Sequence, residues 1–264
     1  KMKKYLVIGN PIDHSLSPEL HNHWIKQNNI DAIYNKKKLN DDEIENLILN
    51  IKKQIISGVN VTVPFKKAVI PYLDELSDEA KKTQSVNTIY LKDQKVVGHN
   101  TDIIGFEKAI KKTNTDFSGK KIFILGAGGV VPSLIYASTK MKSSEIFVSN
   151  RTKENAEKIK KIFNNIKLIN WGDIPDFDII INATSLGLNP DDKLNLNFSK
   201  IKKNKLFYDV IYNPTETHFL NIGKKLGNKC ENGKLMFIYQ ALEAFELWHG
   251  IKPTINNETM RLLG

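Results

Sequence analysis

Cysteine is almost absent from this 264-residue chain: Cys230 is the single thiol and has no internal partner. That excludes a disulfide-stapled scaffold, and one thiol cannot build a zinc site of the multi-cysteine kind. No metal is expected. Long apolar runs are missing as well; none approaches the ~18 residues a membrane-spanning helix needs. The basic start Lys1-Met2-Lys3-Lys4 runs straight into Tyr5-Leu6-Val7-Ile8-Gly9, too short for a signal-peptide core and without a small-residue cleavage site. A cytoplasmic location is expected. Arginine is scarce, and no aromatics interleave with a basic stripe as a single-strand nucleic-acid binder requires. The charge of +10, from 39 Lys+Arg against 29 Asp+Glu, sits on scattered lysines such as Lys36-Lys37-Lys38 and Lys160-Lys161. These read as solvated faces that steer small anions, with no nucleic-acid or membrane partner expected.

What is present is an ordinary globular balance, 41% hydrophobic and 26% charged. The length suits one large or two medium domains with a sizeable core. Strand-like and helix-like segments alternate, which predicts an α/β protein with largely parallel sheets. Strands are predicted at Tyr5–Gly9, Val59–Val63, 121–125, 145–149, 178–182 and 206–210. Val86–Leu91 and Lys95–Gly98 read as a hairpin turning at Lys92-Asp93-Gln94. Helices are predicted over 18–28, 41–53, from about Thr101, to about Lys140, over 153–163 and over 235–249, where Leu235, Ile238, Leu242, Phe245 and Trp248 keep helical spacing. The turn-rich Asp116-Phe117-Ser118-Gly119 reads as the domain junction.

The strand Lys121–Leu125 runs into Gly126-Ala127-Gly128-Gly129-Val130 and then a helix, the context a dinucleotide fingerprint requires. Glycines admit the pyrophosphate to the backbone, and the helix N-terminus supplies N–H groups and partial positive charge. Val131 stands where a third small residue is usual, so a plain strand-to-helix turn stays open. At the end of the next strand, where a NAD site carries a carboxylate for the ribose hydroxyls, the chain has Asn150-Arg151-Thr152. A guanidinium can pair with a 2′-phosphate and Asn and Thr add neutral donors, which favours NADP. A surface arginine opening a helix is the plainer alternative.

The first half carries a second polar constellation. In Gly9-Asn10-Pro11-Ile12-Asp13-His14-Ser15-Leu16-Ser17-Pro18, Ser17 and Pro18 read as N-cap and first helical residue. Ser15 and Ser17, two apart in an extended segment, can aim both hydroxyls at a carboxylate; capping explains Ser17 alone. In Val59–Lys66, period two buries the three valines and puts Asn60 and Thr62 on the other face. Pro64 is expected to open a helix with Lys66 in its first turn, where the dipole disfavours a cation; function or a snorkelling surface lysine accounts for it. Asn87 sits in Ser85-Val86-Asn87-Thr88. Asp102, in Gly98-His99-Asn100-Thr101-Asp102, is the one carboxylate of its cluster or a helix-start acid that Thr101 or Asn100 caps.

Taken in order, GNPIDHSLSPELHN, NVTVPFK, SVNT, GHNTD, GAGG, NRT, NATSLG, YDVIYNPTET and YQALEAFELWHG resemble the shikimate dehydrogenase family over nearly the whole chain. The resemblance implies two domains. A substrate-binding α/β domain over 1–102 is completed by 237–264, whose helices return to it, and a Rossmann-like NADP-binding domain spans 103–236. It implies reversible NADPH-dependent reduction of 3-dehydroshikimate to shikimate, in aromatic amino-acid biosynthesis, by a monomer or homodimer. Lys66 would be the catalytic lysine, paired with Asp102. Ser15 and Ser17 would hold the substrate carboxylate with Tyr212 near it. Thr62, Asn87, Asp102 and Gln240 would hold ring hydroxyls with Asn60 nearby. Gly126, Ala127, Gly128, Gly129 and Val130 would form the phosphate loop and Asn150, Arg151 and Thr152 the 2′-phosphate grip. Val210 and Gly233 would line the nicotinamide, and Asp78 aligns with a further cofactor contact. The chain departs from the family pattern at Val130, at Pro132 and in Gly233-Lys234-Leu235-Met236-Phe237, where a second glycine is lost. A quinate/shikimate dehydrogenase of relaxed specificity and a non-catalytic NADP-binding regulator or polyanion binder are the alternatives.

Overall fold

Short runs rich in isoleucine, valine and aromatics are too apolar to leave in water, and they form two six-stranded sheets. The computed structural model describes residues 1–264 and divides them into two compact units, Lys1–Gly105 with Ile238–Gly264, and Phe106–Phe237.

The first unit carries β1 (Lys3–Gly9), α1 (Ser17–Gln27), β2 (Ala32–Lys38), α2 (Ile44–Lys52), β3 (Gly58–Val61), β4 (Glu75–Leu76), α3 (Asp78–Thr83), β5 (Thr88–Lys92), β6 (Lys95–His99) and the start of α4 (Asp102–Lys112). Its sheet runs β2-β1-β3-β5-β6-β4. β1 pairs in parallel with β2 and β3, whereas β5 runs antiparallel to β3 and β6. β3 is buried throughout, and Ile44, Leu47, Ile48 and Ile51 of α2 close over the same core as Val59, Val61 and Phe65.

The second unit contains β7 (Lys121–Leu125), α5 (Val131–Lys140), β8 (Glu145–Ser149), α6 (Lys153–Ile162), β9 (Ile166–Leu168), β10 (Ile179–Asn182), β11 (Leu206–Asp209), α7 (His218–Lys225) and β12 (Lys229–Glu231). Its sheet, β12-β11-β10-β7-β8-β9, is parallel at every pairing. Strand order reverses between β7 and β10, the switch point at whose carboxyl end open α/β sheets bind ligands. α8 (Lys234–His249) leaves this unit after Phe237, and with α9 (Asn257–Arg261) it completes the first. There Trp248 packs on Tyr5 at 4.8 Å and Phe245 meets Trp24 edge-on. No helix is long and apolar enough to cross a membrane.

Three expectations are corrected. No helix follows Pro64; residues 63–69 form successive turns, tied by Phe65 N–H to Thr62 O and Val69 N–H to Phe65 O. The helix-dipole argument for Lys66 therefore falls. β3 ends at Val61, so Val63 leaves the buried face and is 61% exposed. The turn at 116–119 lies inside the second unit, and the division falls within α4 instead.

Candidate active site

Lys66 and Asp102 meet in the first unit. The Lys66 ammonium donates to Asp102 Oδ2 at 2.7 Å, and only 13% and 8% of the two side chains is exposed. A buried ion pair needs further hydrogen bonds to offset its desolvation, and Asn87 Nδ2 supplies one to Asp102 Oδ1 at 3.2 Å. Turn geometry holds the lysine: its carbonyl accepts from Val86 N–H, and Phe65 beside it is buried. Asp102 opens α4 but does not cap it. Asn100 Oδ1 takes the N–H groups of Asp102 and Ile103 at 2.9 and 3.3 Å, which leaves the Asp102 carboxylate to the lysine.

Asn87 engages all four hydrogen-bonding positions of its amide. Oδ1 accepts from Thr101 N–H at 2.8 Å and from the Thr88 hydroxyl at 3.0 Å. Nδ2 donates to Thr101 Oγ1 at 2.8 Å and to Asp102. Asn60 donates to Asn87 O and Thr88 Oγ1, each at 3.1 Å, and accepts from the Tyr34 phenol at 2.7 Å. Thr101 hands its own hydrogen to the Gln240 carbonyl of α8 at 2.9 Å. Lys66, Asp102, Asn87, Asn60 and Gln240 thus belong to one hydrogen-bonded cluster.

Thr62 donates to Ile8 O at 2.7 Å and keeps its lone pairs to accept a ligand hydroxyl. Gly9 makes room for it: a Cβ there would collide with Thr62 Oγ1. The serines are arranged otherwise than expected. Leu16, at φ −96° and ψ 6°, is not extended, and it occupies the cap position without a side-chain cap bond. Ser15 Oγ instead accepts Ser17 N–H at 3.3 Å, a local side-chain turn. Ser17 is the buried first residue of α1 and caps nothing; its hydroxyl faces the Tyr34 phenol.

In the second unit the glycine turn fits a dinucleotide. Gly126 has φ +117°, and a Cβ on it would lie 2.9 Å from the Ala183 backbone at the exit of β10, so both conformation and packing demand glycine. Around Gly128 there is open space, and α5 begins at once with no side-chain cap at Val130. An uncapped helix start beside an open turn suits a pyrophosphate. Arg151 and Thr152 are exposed where β8 ends, and Asn150 Nδ2 donates to Thr152 O at 2.8 Å. Gly233 lies against the Val210 backbone and donates to Ile211 O. Tyr212 stacks on Phe237 at 4.6 Å. Asp78, exposed at the start of α3, belongs to the first unit and not with the glycine turn.

Residue patterns missed several groups that build these sites. Tyr34 is the buried residue of a lysine-rich edge strand, and Thr88 stands beside Asn87 without having drawn notice. Asp209, at the end of β11, accepts from Thr217 at 2.7 Å, Asn182 at 3.1 Å and Ile211 N–H at 3.0 Å. Burial pushes its carboxyl up to about 6 against those bonds. It pins the turn that carries Val210 to Tyr212.

Three family models match in chain order. They are the shikimate dehydrogenase substrate binding domain over residues 7–89, shikimate / quinate 5-dehydrogenase over 107–217, and the shikimate 5′-dehydrogenase C-terminal domain over 235–255. A shikimate dehydrogenase (NADP(+)) of Pelagibacter ubique is 56% identical over 99% of this chain and 98% of its own. The crystal structure of shikimate dehydrogenase from Aquifex aeolicus superimposes with a TM-score of 0.91 at 36% identity, over 99% of this chain and 97% of its own. That of the Thermus thermophilus enzyme, in complex with NADP(H) and shikimate, gives 0.88 at 27%, over 99% and 97%. Full-length identity above one half, with a two-sheet fold shared throughout, leaves one assignment: the chain belongs to the shikimate dehydrogenase family.

Proposed function

We propose that this protein catalyses the reversible NADPH-dependent reduction of 3-dehydroshikimate to shikimate. The observation that carries the reading is the Lys66–Asp102 pair, 2.7 Å apart and held by Asn87, in a cluster otherwise built of neutral hydroxyls and amides. The names of the relatives, and the Thermus thermophilus complex with both ligands, support it.

In the reduction, the Lys66 ammonium first stabilises the negative charge developing on the carbonyl oxygen and then gives that oxygen a proton, becoming a neutral amine. Asp102 holds the ammonium in place and, with Thr62 and Gln240, fixes ring hydroxyls; Asn87, expected to hold one as well, has all four positions engaged and instead orients Asp102, with Asn60 behind it. In the oxidation the lysine amine takes the hydroxyl proton back. Ser15 and Ser17 anchor the ring carboxylate, with Tyr212 as a further donor. NADPH, when bound, supplies the hydride to the carbonyl carbon. Gly126, Ala127, Gly128, Gly129 and Val130 hold its pyrophosphate, and Asn150, Arg151 and Thr152 its 2′-phosphate. Val210 and Gly233 would line the nicotinamide, and Asp78 would add a further cofactor contact. The first unit is the substrate domain and the second the NADP domain. The enzyme acts in the cytoplasm as a monomer or homodimer, without nucleic acid.

The test is NADPH oxidation on addition of 3-dehydroshikimate, repeated with NADH and, in reverse, with shikimate and quinate. Strong activity with 3-dehydroshikimate and NADPH is expected. Cofactor binding without turnover overturns the reading in favour of a regulator, and equal rates with quinate change the substrate assignment.

A further inference from the structure

Two backbone groups fix the direction of every hydrogen bond around Asn87. Thr101 N–H can only donate, so the Asn87 atom 2.8 Å from it is the oxygen and the other is the nitrogen that reaches Asp102. The Asn87 carbonyl can only accept, so the Asn60 atom facing it is the nitrogen and the one facing Tyr34 the oxygen. An amide oxygen has no hydrogen to give; the Tyr34 phenol must donate to it. Asn60 then donates to Thr88, Thr88 to Asn87, and Asn87 to Asp102, over 3.1, 3.0 and 3.2 Å. Five side chains form a chain of donors pointing one way and ending on the carboxylate that grips Lys66. Bonds aligned head to tail polarise one another in a low-dielectric interior.

The head of this chain is built rigidly. Tyr34 is 1% exposed, and its ring stacks on His21 at 4.2 Å with 6° between planes. Asn22 brackets its backbone, donating to Tyr34 O at 2.8 Å and accepting Tyr34 N–H at 2.9 Å. The Ser17 hydroxyl faces the same phenol oxygen.

We infer that Tyr34 is a positioning residue for the reaction: its phenol, acting through Asn60, Thr88 and Asn87, sets the Asp102 carboxylate against Lys66, and it connects the serine end of the site to the ammonium end. The inference rests on the proposed activity. Tyr34 touches none of the reacting atoms; it orders those that do.

Kinetics with shikimate and NADP+ test it on four variants. Tyr34→Phe keeps the ring stack and removes only the donor, and Thr88→Val breaks the chain further on. Each is expected to lower kcat/KM for shikimate about tenfold, the effect of a buried partner left unpaired, with KM for NADP+ unchanged. Because both interrupt one chain, the double variant should lose about as much as either alone rather than about a hundredfold. Thr88→Ser, which keeps the hydroxyl, should restore the wild-type value. Wild-type kinetics in Tyr34→Phe, additive losses, a Thr88→Ser no better than Thr88→Val, or a Tyr34→Phe chain that melts well below the wild type each overturn the inference alone. A wild-type chain that does not reduce NADP+ with shikimate overturns the functional reading, and the inference with it.

Discussion

Lys66 and Arg151 are the two cations on which the proposed chemistry turns, and they are held in opposite ways. Lys66 is buried against one carboxylate; Arg151 stands exposed at the end of β8. For Lys66→Ala the expected outcome is a fall in kcat of about 10²–10⁴, the range for a positioned proton donor, with KM for shikimate little changed. Steady-state rates decide it, and near-wild-type turnover would take the lysine out of the reaction. For Arg151→Ala, losing a charge-assisted contact should weaken NADP+ by about ten- to a hundredfold, corresponding to ~1.5–3 kcal/mol. NAD+, which lacks the phosphate, should barely respond. Titrating both cofactors checks this, and equal losses would remove Arg151 from the 2′-phosphate.

The elements that patterning disclosed are those whose burial follows one period. β7 and β8 were expected at the residues where they occur, because a central parallel strand is apolar on both faces. β2 was not expected: its sequence Ala-Ile-Tyr-Asn-Lys-Lys-Lys is that of an edge, with Tyr34 alone buried. The helix expected after Pro64 fails for another reason, since the local bond from Phe65 N–H to Thr62 O and the tertiary bond from Val86 N–H to Lys66 O hold that segment in turns. The site shows the same division. Asp102 and Asn87 could be picked out as polar groups at strand ends, whereas the phenol that orders them lay on the strand without a pattern. Asn22 occupies the open side of that strand, and its carboxamide meets the Tyr34 backbone as a seventh strand would. Asn22→Ala should therefore destabilise the protein by about 1–3 kcal/mol, read from denaturant unfolding. It should also make β2 prone to edge-to-edge association on light scattering; unchanged stability would show the bracket to be idle.

For the whole molecule, acid should act chiefly through buried histidine. Burial lowers His21 to about 3, and burial with Lys3 nearby lowers His249 to about 4, against 6.5 for the free side chain. Below pH ~6.5 the unfolded chain takes up protons that the folded one refuses. Their contribution is therefore complete above that pH and is lost as pH falls toward 4, for His21 at about 1.4 kcal/mol per unit. Asp209 has the opposite sign: raised to about 6, it stabilises the fold less as pH rises from 4 to 6. His21→Phe should flatten the acid limb of the stability profile, measured by unfolding at pH 4 to 7, whereas a limb parallel to the wild type would acquit the imidazole. The division of the chain bears on its synthesis as well. Trp248 and Phe245, which close the first unit over Tyr5 and Trp24, are translated after the whole second unit. On a ribosome adding ~5–20 residues per second, the N-terminal segment must wait on the order of ten seconds for them. Its lysine-edged sheet stays open meanwhile, and nascent-chain chaperones would find their longest opportunity there.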